Sequence, residues 1–362
     1  DPEGRRRPMR FDGLVLVDEA GMAGLVPFRH LLLALGEGAR LVLVGDPAQL
    51  GAVGPGDVLG SLLLARDKGL LPAEWFVELK TFHRGSLLIQ NADRIRRGDT
   101  ALAWQPDLFE RVVVPCDAQG EAAPGAMRDA LKGILDRLAS QGVPWEDVLV
   151  LCALKGEAGG REGVASYNLL LQERFNRDGR PVPGTRFRVG DRVVCVENDY
   201  GSDGAAWRHP GRPVVFNGMV GRVVSCDEAR EEAVVEFPLP GADPVRAPYW
   251  FREMPRWLEL AYVLTIHKAQ GAEAPVVVVL EHRRGRKRFT RRMLYTAVTR
   301  ALHDPAKPWS ERVYLVGPDG FVEEAVRNED PPRRGKLVYR MAELLAGRGR
   351  PWRGPGGVRV VR

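Results

Sequence analysis

No stretch of this 362-residue chain stays apolar long enough to cross a bilayer, and residues 1–10 lack the apolar core of a secretory leader. Both absences lead to the expectation of a cytoplasmic location. Cysteine is scarce. The four present (Cys116, Cys152, Cys195, Cys226) lie far apart with no C-x-x-C pair, so neither a zinc site nor a disulfide framework is signalled, and a reducing compartment fits. No internal repeat recurs at solenoid periods. Nor does the chain contain G-x-x-x-x-G-K-[ST], the loop whose backbone amides and lysine cradle phosphates. The nearest imitation, Gly335-Lys336-Leu337, has leucine where a hydroxyl is needed.

What is present is ample for packed cores: 44% of residues are hydrophobic, and the length corresponds to two or three domains. A formal net charge of +6 fits a polyanionic partner, and a compositional bias accounts for it equally well. The chain opens on Asp1-Pro2 rather than on methionine, which leads to the expectation of further residues upstream.

From residue 11 to 64 the pattern reads strand, helix, strand, helix. Residues 14–17 and 41–44 are continuous apolar runs of the kind buried on both faces of a parallel sheet, with a crossover helix at 28–35. Helices are predicted at 92–98, 126–140 and 167–175, and a buried strand at 147–151. The texture changes at Pro181, where short β-like segments alternate with Gly-, Pro- and Asp-rich turns as in a small antiparallel barrel. At Glu259 the α/β texture resumes, with strands at 261–265, 276–280 and 313–316 and a helix at 290–302. The predicted fold class is therefore α/β with a β-rich insert, followed by an Arg-, Gly- and Pro-rich tail predicted to be flexible.

Four strings carry chemistry. Leu14-Val15-Leu16-Val17-Asp18-Glu19-Ala20 has the form of a Walker-B strand, which delivers one carboxylate to Mg²⁺ and a second to the attacking water. A second apolar strand ends in Gly45-Asp46-Pro47-Ala48-Gln49. Parallel strands end on the same edge, so Asp18, Glu19 and Gln49 converge there, where a neutral amide can sense a phosphate. Thr265-Ile266-His267-Lys268-Ala269-Gln270-Gly271-Ala272-Glu273 places small and polar groups after a strand, which suits close approach to phosphates. In residues 291–301, Leu294, Ala297, Val298 and Ala301 form one helical face and leave Arg300 near the helix end, as an arginine finger is presented.

In this order the strings LVLVDEA, GDPAQL, TIHKAQGAE and LYTAVTRA resemble motifs II, III, V and VI of superfamily 1 helicases. The string around Thr265, together with Val215-Phe216-Asn217-Gly218, is similar to the RecD/TraA-like branch. The resemblance spans residues 11–317. It implies two RecA-like parallel-sheet motor domains, the first incomplete (1–80; then 81–183 with 258–330), an inserted SH3-like β-barrel at 184–257 and a basic tail at 331–362. By position it implies that Asp18 holds Mg²⁺, Glu19 activates water and Gln49 senses the γ-phosphate of ATP, with Asp46 and Gly271 beside the nucleotide and Glu273 on its ribose. Residues 79–84 resemble motif IV, which makes Arg84 a second arginine finger. Gly85 departs from the glutamine often found there, and Cys152-Ala153 from a more usual Ser-Pro. Thr265, His267, Lys268, Lys155 and Asn217 match positions near single-stranded DNA.

These readings lead to the expectation of an ATP-dependent DNA helicase or translocase, moving 5′ to 3′ by branch membership. Its phosphate loop would lie in a missing N-terminal segment, so this chain alone would be inactive. Accessory repair or recombination subunits are implied partners. The rival readings are a non-catalytic nucleic-acid-binding module, half of a split helicase, and the motor portion of a relaxase or nuclease fusion. The basic run from Arg283 to Arg292 reads either as a solvated loop or as a phosphate-tracking surface.

Overall fold

The apolar run predicted as the first strand forms β1 (Leu14–Val17), followed by α1 (Leu25–Ala34), β2 (Arg40–Leu43) and α2 (Val58–Asp67). The computed structural model describes residues 10–52, 54, 56–79, 86–154, 163–198, 212–239, 241–282, 289–330, 337, 338 and 341. It divides the chain into two units, one of residues 1–85 and 329–362 and one of residues 86–328.

In the smaller unit β1 and β2 are parallel and in register, with Leu14 opposite Arg40 and Val17 opposite Leu43, joined through α1 as a crossover connection. Asp57 caps α2 by accepting from the Gly60 amide at 2.8 Å. One expectation is corrected. The strands are not buried on both faces: Leu14 is 68% exposed and Leu16 60%, Val42 and Val44 are exposed, and α1 buries none of its residues. Two-sided burial of a parallel strand requires flanking strands and helices on both faces. The described residues of this unit supply a sheet only two strands wide.

The larger unit begins with α3 (Leu87–Arg97), β3 (Phe109–Val114), α4 (Ala126–Ser140), β4 (Val148–Cys152) and α5 (Val164–Phe175). After an insert it continues through β10 (Val263–Thr265), β11 (Val276–Leu280), α7 (Arg291–Val298), β12 (Arg312–Pro318) and α8 (Phe321–Arg327). Its sheet runs β10-β4-β11-β12-β3, parallel throughout. Every residue of β4 and β11 is buried, as was predicted for the first of them. Val148, Val150, Val276, Val278, Tyr314 and Val316 share one core with Leu131, Ile134 and Leu138 of α4 and Leu171 of α5. The alternate residues Leu149, Leu151, Val277 and Val279 face the other way, where α7 packs on β11.

The insert comprises β5 (Arg192–Cys195), β6 (Val220–Asp227), β7 (Glu232–Leu239), β8 (Ala242–Trp250), the one-turn α6 (Met254–Trp257) and β9 (Leu258–Leu260). These strands form a second sheet, order β8-β7-β6-β5-β9, entirely antiparallel. Its buried residues Val193, Val223, Val235, Phe237 and Tyr249 belong to the same continuous core as β4 and β11, so the insert is packed on the parallel sheet rather than tethered to it. Only Ala261 and Tyr262 separate β9 from β10.

Candidate nucleotide and nucleic-acid sites

The parallel pairing of β1 and β2 brings Asp18, Glu19, Asp46 and Gln49 to one end of the smaller unit's sheet. The strand ends are held together by Val44 N–H donating to Val17 O and Ala20 N–H donating to Val44 O, both at 2.8 Å. Gly45 makes this approach possible: a Cβ there would lie 3.1 Å from Ala20 N and 3.2 Å from Gly21 N. Glu19 itself adopts the left-handed conformation at φ 49°, which is uncommon for a residue with a side chain and costs about 1 kcal/mol. The turn sends the chain away from the strand axis directly after the acids.

Asp18 Oδ1 accepts from the Glu19 amide at 2.8 Å, which fixes that carboxylate's orientation. Among the described residues no cation pairs with Asp18 or Glu19. Asp46 closes its own turn by accepting from Ala48 N–H at 2.8 Å, and Gln49 N–H donates to Asp46 O at 3.2 Å. Two adjacent carboxylates with no neutralising partner fit an external cation. No group of three or more His, Cys, Asp or Glu side chains placed to hold a metal ion occurs among the described residues.

In the larger unit, Thr265 ends β10 and its hydroxyl accepts from Lys268 N–H at 3.2 Å, starting the loop that carries His267, Lys268, Gly271 and Glu273. His267 and Glu273 are exposed, and Gly271 turns the chain at φ +79°. Lys268 Nζ donates to Glu259 Oε2 at 2.6 Å. Glu273 and Arg300 are brought together through the backbone: Ala274 N–H donates to Arg300 O at 3.0 Å, and Ala274 bridges Ala301. Arg300 was expected to project from the helix end. Its Nε instead donates to Thr296 O at 3.1 Å, four residues back, and the residue is only 4% exposed. Asn217 is exposed on a turn of the insert. Arg84, Lys155 and residues 283–288 of the basic run lie outside the described residues.

Three buried polar residues organise this unit without any signal in a sequence motif. Asp191 is fully buried and accepts from Gln172 Nε2 (2.5 Å), Asn176 Nδ2 (2.6 Å), Tyr262 OH (2.8 Å) and Arg188 N–H (2.7 Å). It thereby ties α5 to the start of the insert and to the approach of β10. Burial, and then the Asp191 charge, hold the Tyr262 hydroxyl well above its ordinary value. Asn168 covers the open edge of β10, donating to Val263 O and accepting from Val263 N–H, both at 2.9 Å. Past the end of β11, burial pushes the Glu281 carboxyl up to about 8, and His282 Nε2 meets Tyr167 OH at 2.7 Å.

Known proteins match several stretches of this chain. The UvrD-like helicase C-terminal domain family matches residues 260–304, and an AAA domain family matches residues 5–108. "RecBCD enzyme subunit RecD" of Mycolicibacterium smegmatis is 30% identical over 325 residues, covering 87% of this chain and 52% of the relative. "ATP-dependent RecD2 DNA helicase" of Deinococcus radiodurans is 31% identical over 314 residues, covering 83% of this chain and 37% of the relative. Over most of its length the chain is similar to RecD-like helicases. This RecD-like chain spans about half the length of the first of those relatives and less of the second. A solved structure of Bacteroides Pif1 bound to ssDNA aligns with 92% of the RecD-like chain and 76% of its own, at 16% identity and a TM-score of 0.45.

Proposed function

We propose that this RecD-like chain supplies the water-activating, phosphate-sensing and ribose-holding parts of an ATP-driven motor on single-stranded DNA. Its phosphate loop would come from a segment outside these 362 residues. The observation that carries the reading is the Asp18-Glu19 turn: two adjacent carboxylates without a cation partner among the described residues, set at the strand-end edge that also presents Asp46 and Gln49. Asp18 would hold Mg²⁺, which when bound neutralises charge on the phosphates. Glu19 would accept a proton from the attacking water, and Gln49 would contact the terminal phosphate through its neutral amide. The exposed apolar residues of β1 and β2 support the presence of further strands of a RecA-like domain against this unit.

In this reading residues 1–80 belong to the first motor domain, and residues 81–183 with 258–330 form the second. Arg84 and Arg300 would be the arginine fingers of an ATP-driven cycle that steps along DNA in the 5′ to 3′ direction. Glu273, beside the Arg300 backbone, would hold the ribose. Thr265, His267, Lys268 and Lys155 would line the path of the strand together with Asn217 on the insert, which we take as an SH3-like barrel. Because the Mycolicibacterium relative is named as a RecBCD subunit, we extend the proposal to partner subunits in DNA repair or recombination.

The test is DNA-stimulated ATP turnover by this chain joined to a segment bearing G-x-x-x-x-G-K-[ST]. Glu19→Gln should lower turnover by about 10²-fold or more while nucleotide and DNA binding persist. Unchanged turnover in that variant would sink the assignment. A second reading, a non-catalytic nucleic-acid-binding module, is favoured by the lack of a phosphate loop in these 362 residues. It predicts DNA binding that nucleotide never alters.

A further inference from the structure

Two arginines meet across neighbouring strands of the insert. Arg192 of β5 and Arg222 of β6 are direct partners in the antiparallel register, so both side chains leave the same face of the sheet, with Cβ atoms about 5 Å apart. Like charges placed directly opposite each other work against strand pairing. The row continues through Glu236 of β7, opposite Arg222, to Arg246 of β8, opposite Glu236. Glu236 is taken by Arg246, whose Nε donates to its Oε2 at 2.8 Å. The register thus neutralises one end of the row and leaves two cations side by side at the other.

Arg192 is also held in place. Its guanidinium lies 5.5 Å from the Trp145 ring centre, and Trp145 stacks on Phe175 at 4.7 Å and lies 5.2 Å from the Tyr262 ring. The residue is half-buried, and among the described residues no carboxylate forms a hydrogen bond or ion pair with its side chain. Burial, and then the Arg222 charge, hold its guanidinium below the ordinary arginine value. Glu146 is the carboxylate that acts on both arginines, and its bond is to Arg222, at 3.3 Å between side chains 50% and 55% exposed. Two cations therefore share one loosely bound carboxylate.

We propose that Arg192 and Arg222 form a binding site for a phosphate group, free or carried in a nucleic-acid backbone. A guanidinium held against a ring keeps its fork of donors oriented, so little freedom is lost when an oxyanion enters. The anion supplies the negative charge that the strand register lacks. The site lies wholly within the larger unit and stands or falls apart from the motor reading.

The test follows thermal unfolding of the full chain in inorganic phosphate and in chloride at equal ionic strength. Phosphate should raise the midpoint by about 2 °C or more. Arg192→Met and Arg222→Gln should each abolish that increment, and neither should lower the midpoint in chloride, because each removes a cross-strand repulsion. Arg246→Gln, the paired arginine of the same row, should keep the increment. A second arm measures the affinity of a short abasic strand. For a backbone phosphate, Arg192→Met weakens that affinity and lowers its salt slope by about one; for a free anion, only the phosphate increment is lost. Equal phosphate increments together with equal strand affinities in Arg192→Met and the unaltered chain would overturn the site, as would a loss that Arg246→Gln reproduces.

Discussion

Replacing Asp191 with alanine should destabilise the larger unit more than any exposed substitution. The carboxylate receives four hydrogen bonds in a fully buried site, from two side chains of α5 or its end, from Tyr262 and from the Arg188 amide. Hydrogen bonds to charged groups contribute about 1.5–3 kcal/mol each, but such networks are far from additive. Removing the acceptor leaves four buried donors unsatisfied, so a net loss of about 3–5 kcal/mol is expected, with Asp191→Asn costing roughly half as much because its amide NH₂ confronts donors. The assay is urea unfolding followed by tryptophan fluorescence. Trp145 is a local reporter, since its ring lies 5.2 Å from Tyr262 and 4.7 Å from Phe175. Asp243→Ala, at an exposed position on β8, is the control and should change stability by less than about 0.5 kcal/mol. Equal midpoints for the two variants would refute the claim that Asp191 joins the insert, α5 and β10.

Three further outcomes follow from named contacts. Glu281 has a folded-state value of about 8 against an ordinary 4.5, so the folded chain keeps a proton that the unfolded chain releases. Stability should therefore fall as pH rises across that window, by on the order of 4 kcal/mol, and level off above it. Glu281→Gln should flatten this part of the unfolding profile, and parallel profiles for the two proteins would contradict the assignment. Asn168→Ala should cost about 2–3 kcal/mol and speed hydrogen exchange at the Val263 amide, whose acceptor is the Asn168 side chain; unchanged protection there would count against it. Glu19→Val should destabilise the smaller unit by about 1–2 kcal/mol relative to Glu19→Gly, because a β-branched residue tolerates positive φ poorly, and calorimetry reads the difference.

The parallel sheet of the larger unit was legible because its strands announce themselves: the runs at β4 and β11 are unbroken and apolar, and they are buried throughout. The same signal misled at β1 and β2, since an apolar run records a capacity for two-sided burial and not the presence of what buries it. The acid pair and Gln49 were readable from strand ends and parallel topology, and their convergence follows from the β1–β2 register. Glu19's left-handed turn was not readable, because nothing in the type of residue requires it. Asp191, Asn168 and Glu281 stayed hidden for a related reason. Each is polar amid apolar neighbours, and only the fold brings its partners within reach from residues as distant as Tyr262 is from Asp191 or Val263 from Asn168. The inward fold of Arg300 was equally invisible, since helical spacing fixes where a residue starts and not where its guanidinium ends.

The most direct measurement is DNA-stimulated ATP turnover by the 362-residue chain alone and by the same chain joined to a phosphate-loop segment, at equal concentration. The account predicts no turnover by the chain alone, since no G-x-x-x-x-G-K-[ST] in it can cradle the phosphates, and turnover by the joined chain that depends on both Glu19 and Arg300. Turnover by the chain alone, or turnover by the joined chain that survives Glu19→Gln and Arg300→Ala, would contradict it.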